Sequence, residues 1–168
     1  MISDNYKMSR YVNGKLYSVI TYEDDTPIAD NPDFLKACTN YEIVEFKHYL
    51  YNHPIDCLPN NIKFINLVNC QSFMQPLHNL PSGLIGLSLP RNYNQLLCYL
   101  QHGLKYIYFN ETYFNSYVRS IIEYLPASLK YIATNSDCFD MENKQFLINY
   151  TFFGNSLYTD TLFLEDTK

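Results

Sequence analysis

A chain of 168 residues with 47% hydrophobic residues and a net charge of −5 is long enough to bury one core and fits a single domain. Its negative balance argues against nonspecific nucleic-acid binding, and no apolar run approaches the length of a membrane span. Five cysteines scattered singly argue against a disulfide framework and for a reducing, cytoplasmic setting.

The start, MISDNYKMSRYVNGK, lacks the apolar stretch of a secretion signal, and residues 1–15 are expected to form an N-terminal cap over the first apolar layer. Lys15 to Tyr22 alternates as a strand does, until Glu23-Asp24-Asp25-Thr26-Pro27 breaks it. Asn31-Pro32-Asp33 is a helix start: an amide at the N-cap, a proline at the first helical position and an acid near the positive end of the dipole. It predicts a short helix ending near Cys38, followed by a strand over Tyr41 to Phe46.

From there one phrase repeats. In LPNNIKFINLVNC the apolar residues Ile62, Ile65 and Leu67 are followed three positions on by Cys70. Leu84, Leu87, Leu89 and Asn92 repeat these offsets, then Leu104, Ile107, Phe109 and Thr112, then Leu129, Ile132, Thr134 and Asp137. Upstream, Tyr41, Val44, Phe46 and Tyr49 fit, and Leu16, Val19, Thr21 and Asp24 fit more loosely. A period of 20 to 25 residues is the mark of a solenoid, so about six repeats are expected over 16–137 and a C-terminal cap over 138–168.

The expected fold class is α/β: a short leucine-rich-repeat-like solenoid with a parallel sheet on its concave face and mixed irregular and helical returns on the convex one. In each unit the fourth and sixth positions face the core, and the ninth is a small group that turns inward to satisfy backbone. Tyr49 is too large for that role, which predicts a distorted turn there. Strands are expected near 17–21, 42–46, 63–67, 85–89, 105–109 and 130–134. Among the returns, Pro76 and Pro81 make one irregular, while Gln95 to His102 suits two helical turns. Val118, Ile121, Ile122 and Leu125 have the spacing of one buried helical face, and Asp140 suits the start of a helix running to about Asn149.

Finer features carry a resemblance. Leu58-Pro59, Leu80-Pro81 and Leu125-Pro126 precede three first positions, and Phe73-Met74-Gln75-Pro76-Leu77 and Tyr93-Asn94-Gln95-Leu96-Leu97 follow two strands. Residues 57–135 thereby resemble the FNIP repeat, a unit frequent in social amoebae and amoeba-infecting giant viruses. Met74 and Leu96 depart from its Asn and Pro. The resemblance implies an interaction module; the F-box or kinase domain often joined to such repeats is not visible in this sequence.

Catalytic signals are sparse. Cys70 and His78, with Cys98 and His102 four residues apart, allow a zinc site or a cysteine enzyme between Cys70 and His102 to be imagined, but the paired spacing of zinc ligands is missing. No phosphate-cradling Gly-rich loop or nucleophile elbow is present. No cofactor, metal, membrane, nucleic acid or small-molecule substrate is therefore expected.

The outward sheet positions point to protein or peptide binding. Third positions include Phe64, Tyr106 and Tyr131, fifth positions Glu45, Asn66 and Tyr108, and second positions Glu42, Lys63, Lys105 and Lys130. Tyrosines flanked by lysine stems suit a contact surface, because a Tyr ring offers apolar area and a polar tip at little entropic cost. The alternatives are that these rings only shield the sheet, that the chain is the enzyme just described, or that it is a structural component of a virus particle.

Overall fold

The computed structural model describes residues 8–12, 15–91, 93–97, 100, 103–110, 125–134, 138–140 and 145–146. Its frame is one sheet whose strands follow chain order: β1 Met8–Val12, β2 Lys15–Tyr22, β3 Ile43–Phe46, β4 Phe64–Asn66, β5 Gly86–Leu89, β6 Tyr106–Phe109, β7 Tyr131–Ala133, β8 Cys138–Asp140 and β9 Gln145–Phe146. The six strands β2 to β7 are parallel, and β1, β8 and β9 pair antiparallel at the two ends. Each parallel pair is joined by a return of 16 residues or more, since a parallel neighbour cannot be reached by a tight turn. This is a solenoid, and the end strands cover the parallel edges that a repeat array otherwise leaves open.

The core row of the sheet is Ile20, Val44, Ile65, Leu87, Ile107 and Ile132, paired strand to strand and buried throughout. Leu87 lies between Ile65 and Ile107, as the repeat offsets require. The first repeat is a correction. Its looser reading placed Val19 in the core, but Val19 pairs with Ile43, and Ile20 and Tyr22 are the residues level with Val44 and Phe46. A one-residue slip reverses every side chain of a strand, so Val19 belongs to the opposite face. Both choices are apolar, which is why the pattern alone did not separate them.

The helix expected after Asn31 is α1, Pro32–Cys38, and the Asn31 side chain caps it by accepting from the Phe34 backbone N–H at 3.0 Å. The returns carry a second periodicity. Tyr51, Ile55, Leu58 and Ile62 stand 0, 4, 7 and 11 positions along, as do Phe73, Leu77, Leu80 and Leu84, and then Tyr93, Leu97, Leu100 and Leu104, all buried. That spacing is one a helix face would show, yet the described residues of these returns are turns and irregular backbone. Pro54, Pro59, Pro76 and Pro81 interrupt the first two, each lacking a donor and disfavouring helix at the residue before it. The helix expected at Gln95 to His102 is absent at 95–97, and Cys98 and His102 lie outside the described residues.

The returns instead stack side chain on side chain. The rings of Tyr51 and Phe73 lie 6.3 Å apart at 6° and those of Phe73 and Tyr93 6.0 Å apart at 19°, an aromatic column with one ring per repeat. Polar groups lock the same layers. Asn52 Oδ1 accepts from the Met74 N–H at 2.9 Å, Gln75 Nε2 donates to the Asn52 carbonyl at 3.0 Å, and Tyr93 Oη donates to the Gln75 carbonyl at 3.0 Å. Each Leu-Pro pair opens a turn: Pro59, Pro81 and Pro126 carbonyls accept from the N–H groups of Ile62, Leu84 and Leu129 at 3.2, 2.9 and 3.0 Å.

Cys70 takes the inward ninth position. Its Sγ donates to the Phe46 carbonyl at 3.5 Å, a thiol serving where an amide would serve better. Tyr49, at the same offset, is 62% exposed and swings out of the turn, as its size demands. Asn92, Thr112 and Asp137, the helix expected near Val118 to Leu125 except Leu125 itself, and most of the C-terminal cap fall outside the described residues. The helix expected from Asp140 does not include Gln145–Phe146, which is strand β9.

Candidate binding surface

The six parallel strands present two rows on the face away from the core. Val19, Ile43, Phe64, Gly86, Tyr106 and Tyr131 form one row; Thr21, Glu45, Asn66, Ser88, Tyr108 and Ala133 form the other. The sequence led us to expect an exposed surface here. Most of it is buried: Phe64, Asn66, Tyr106 and Tyr108 join Tyr17, Val19, Ile43, Val68 and Ala133 in a second apolar cluster or border it, and Glu45 is buried as well. Parallel sheets are usually covered on both sides, and here large side chains fill the spaces left by small ones. The Tyr17 ring meets Phe64 edge-on at 5.1 Å across the intervening β3. Tyr106 and Tyr131 stack at 6.1 Å and 12°.

What stays accessible is the rim at which the strands begin. Lys105 and Lys130 are exposed, and Glu42, Lys63, Ile85 and Tyr131 are half-buried. A regular backbone arrangement sets this rim. The Lys63 carbonyl accepts from both Ile85 and Gly86 N–H groups (2.7 and 3.1 Å), the Ile85 carbonyl from Lys105 and Tyr106 (2.8 and 3.1 Å), and the Lys105 carbonyl from Lys130 and Tyr131 (2.8 and 3.2 Å). Successive second positions are thus tied to one another, and their side chains emerge side by side. Ile85 escaped the sequence reading, although it falls at the same offset as Lys63 and Lys105.

Glu42 pairs with Lys15 at 3.8 Å, and Lys15 also lies 4.6 Å above the Tyr17 ring. Lys63 reaches forward: its Nζ is 2.6 Å from where a Cβ on Gly83 would stand, and the Asn60 carbonyl oxygen, which cannot swing aside as a lysine tip can, is equally near, so this close crossing of the next repeat's turn needs a glycine. Of the ten residues expected to bind, the structure places Glu42, Lys63, Lys105, Lys130 and Tyr131 along the accessible rim, and Glu45, Phe64, Asn66, Tyr106 and Tyr108 in the filled interior of the face.

The described thiols are held in their protonated forms. Burial pushes Cys70 up to about 12 and, with Cys57 nearby adding to it, Cys38 up to about 12; Cys57 is raised as well. A thiol in that range carries almost no thiolate at neutral pH, so Cys70 is poorly suited to attack a substrate. His78, its imagined companion, is exposed. Among the described residues no group of three or more His, Cys, Asp or Glu stands together, and no helix is long and apolar enough to cross a membrane.

No family model matches the sequence, and no curated protein matches it. Among solved structures the chain is similar to CroV588, described as a novel circular LRR protein structure, at 16% identity and a TM-score of 0.27. The likeness covers 69% of this chain and 30% of that one, so this chain spans less than a third of that protein's length. The repeat architecture described above stands on its own strand registers.

Proposed function

We propose that this protein is a noncatalytic interaction module of the leucine-rich-repeat type, with FNIP-like returns, that engages a protein or peptide through the rim of its parallel sheet. One observation carries the reading. Exposed Lys105 and Lys130 flank half-buried Tyr131, whose ring is held by the stack on buried Tyr106. A ring already fixed in place loses little freedom on binding, and it presents apolar area beside flexible cations.

The filled interior of the face supports this assignment as well. Phe64, Tyr106 and Tyr108 serve as the foundation of the surface, and the contact zone is confined to its edge. The FNIP-like part of the reading rests on Phe73 and Tyr93, which build the aromatic column of the returns. A cytoplasmic partner suits a chain whose described cysteines are free.

Affinity capture from native host extract, with the wild type compared to Tyr131→Ala, tests the proposal. Partners recovered by the wild type and lost with the folded variant support it. Equal recovery of the same partners by both proteins rejects the rim as the contact surface.

A further inference from the structure

The rim has one charge sign over four consecutive strands. Lys63, Ile85, Lys105 and Lys130 immediately precede β4, β5, β6 and β7, the charged ones all being lysines, and the sequence from Cys57 to Asn110 contains no Asp or Glu. The described residues 125–134 contain none either, and the next described acid along the sheet is Asp140 on β8, the register partner of Tyr131, which bounds the basic stretch at that end. Among the described residues no carboxylate pairs with Lys63, Lys105 or Lys130, whereas Lys15, one repeat earlier, does pair with Glu42. Like charges on neighbouring strands repel, and Lys105 and Lys130 are direct neighbours bonded backbone to backbone. An anion laid across them relieves that repulsion.

Resting on the interaction reading above, we propose that the segment bound at this rim is a short, extended acidic peptide of a partner protein, with an apolar side chain between its acids. The spacing gives the length. Strands about 4.8 Å apart put Lys63 and Lys105 about 10 Å from each other at the backbone, with Lys130 about 5 Å further on. A peptide in the extended polyproline II form, advancing about 3.1 Å per residue and returning to the same side every third residue, brings acids three residues apart over Lys63 and Lys105, and the flexible stem of Lys130 reaches a further acid two residues on. Ile85 between the first two lysines and Tyr131 beside the last supply apolar contact. The basic stretch stops at Lys63, because Glu42 occupies the next strand's place on the rim. So short a row, on a chain of net charge −5, fits a few peptide carboxylates better than a nucleic-acid backbone.

The test uses isotope-labelled full-length protein titrated, by nuclear magnetic resonance, with the end-blocked hexapeptide Glu-Leu-Ala-Glu-Leu-Glu. Shifts concentrated on the amides of Lys63, Ile85, Lys105, Lys130 and Tyr131 are expected, with affinity falling at least about tenfold in the double variant Lys105→Glu/Lys130→Glu and weakening as salt rises from about 50 to 300 mM. The same peptide with Gln for Glu should leave the rim amides unmoved. Equal binding of the Gln peptide, or no rim shifts at millimolar Glu peptide, overturns the proposal. So does equal binding of a thymidine hexanucleotide, and so does salt-sensitive self-association in sedimentation that the double variant abolishes, which would make the occupant a second copy. Extract capture distinguishes this inference from the one beneath it. Partners lost with Tyr131→Ala but kept by Lys105→Glu/Lys130→Glu refute the acidic peptide alone, whereas partners kept by both variants refute the rim itself.

Discussion

Tyr106 and Tyr131 are register partners on adjacent strands, and their rings stack at 6.1 Å, yet one is buried and the other half-buried. The pair therefore separates a structural role from the contact role proposed for Tyr131. Tyr106→Ala empties a packed site and is expected to destabilise by about 3 kcal/mol or more, in the range of large aromatic truncations. Tyr131→Ala loses the stacking contact and part of its burial, about 1 kcal/mol, and leaves the fold intact. Urea denaturation of the two variants should show that ordering. Equal losses would mean that both rings belong to the core.

Leu87 sits at the centre of the core row, level with Ile65 and Ile107. Leu87→Ala is expected to lower stability by roughly 2 to 5 kcal/mol, because a middle repeat has neighbours on both sides and cannot collapse around the cavity. Equilibrium denaturation measures it, and a loss well under 1 kcal/mol would contradict the register.

The aromatic column gives a third expectation. Phe73 is fully buried between Tyr51 and Tyr93, so Phe73→Ala removes two ring contacts at once and should destabilise by about 3 to 5 kcal/mol. Phe73→Leu restores most of the volume but not the stacking. Near-ultraviolet circular dichroism should weaken in both variants, and denaturation should place Phe73→Leu between Phe73→Ala and the wild type.

Alkaline pH should unfold the protein through its buried acids. Cys38 and Cys70 are raised from 9.0 to about 12 and Tyr108 from 10.0 to about 12, all chiefly by burial. Between the ordinary and the raised values the folded state holds protons that the unfolded state has released. Stability therefore falls as pH rises above about 9, by on the order of 1 kcal/mol per pH unit for each group in its window. Below pH 9 these groups add no pH dependence. Urea midpoints at pH 8 and pH 10.5 should show a smaller decline for Cys70→Ala than for the wild type, and identical declines would show that Cys70 does not titrate in this way.

The repeat pattern was enough to place all six parallel strands, the capped helix at Asn31 and the core residue Leu87, because each rests on local chemistry: side-chain alternation, a capping amide, a proline at the first helical turn. Cys70 was legible as an inward turn residue and Tyr49 as an outward one on size alone. Tertiary structure decided what the pattern left equal. Val19 and Ile20 are both apolar, and only pairing with Ile43 and Val44 selects the face each one takes. The Tyr51, Phe73 and Tyr93 returns have helical spacing, and it is stacking between repeats that makes that spacing serve irregular backbone. Exposure was also beyond the sequence, since it depends on what lies across a strand as well as on its own residues: Tyr108 and Tyr131 look alike in the chain, but one is sealed within the sheet face and the other reaches its rim.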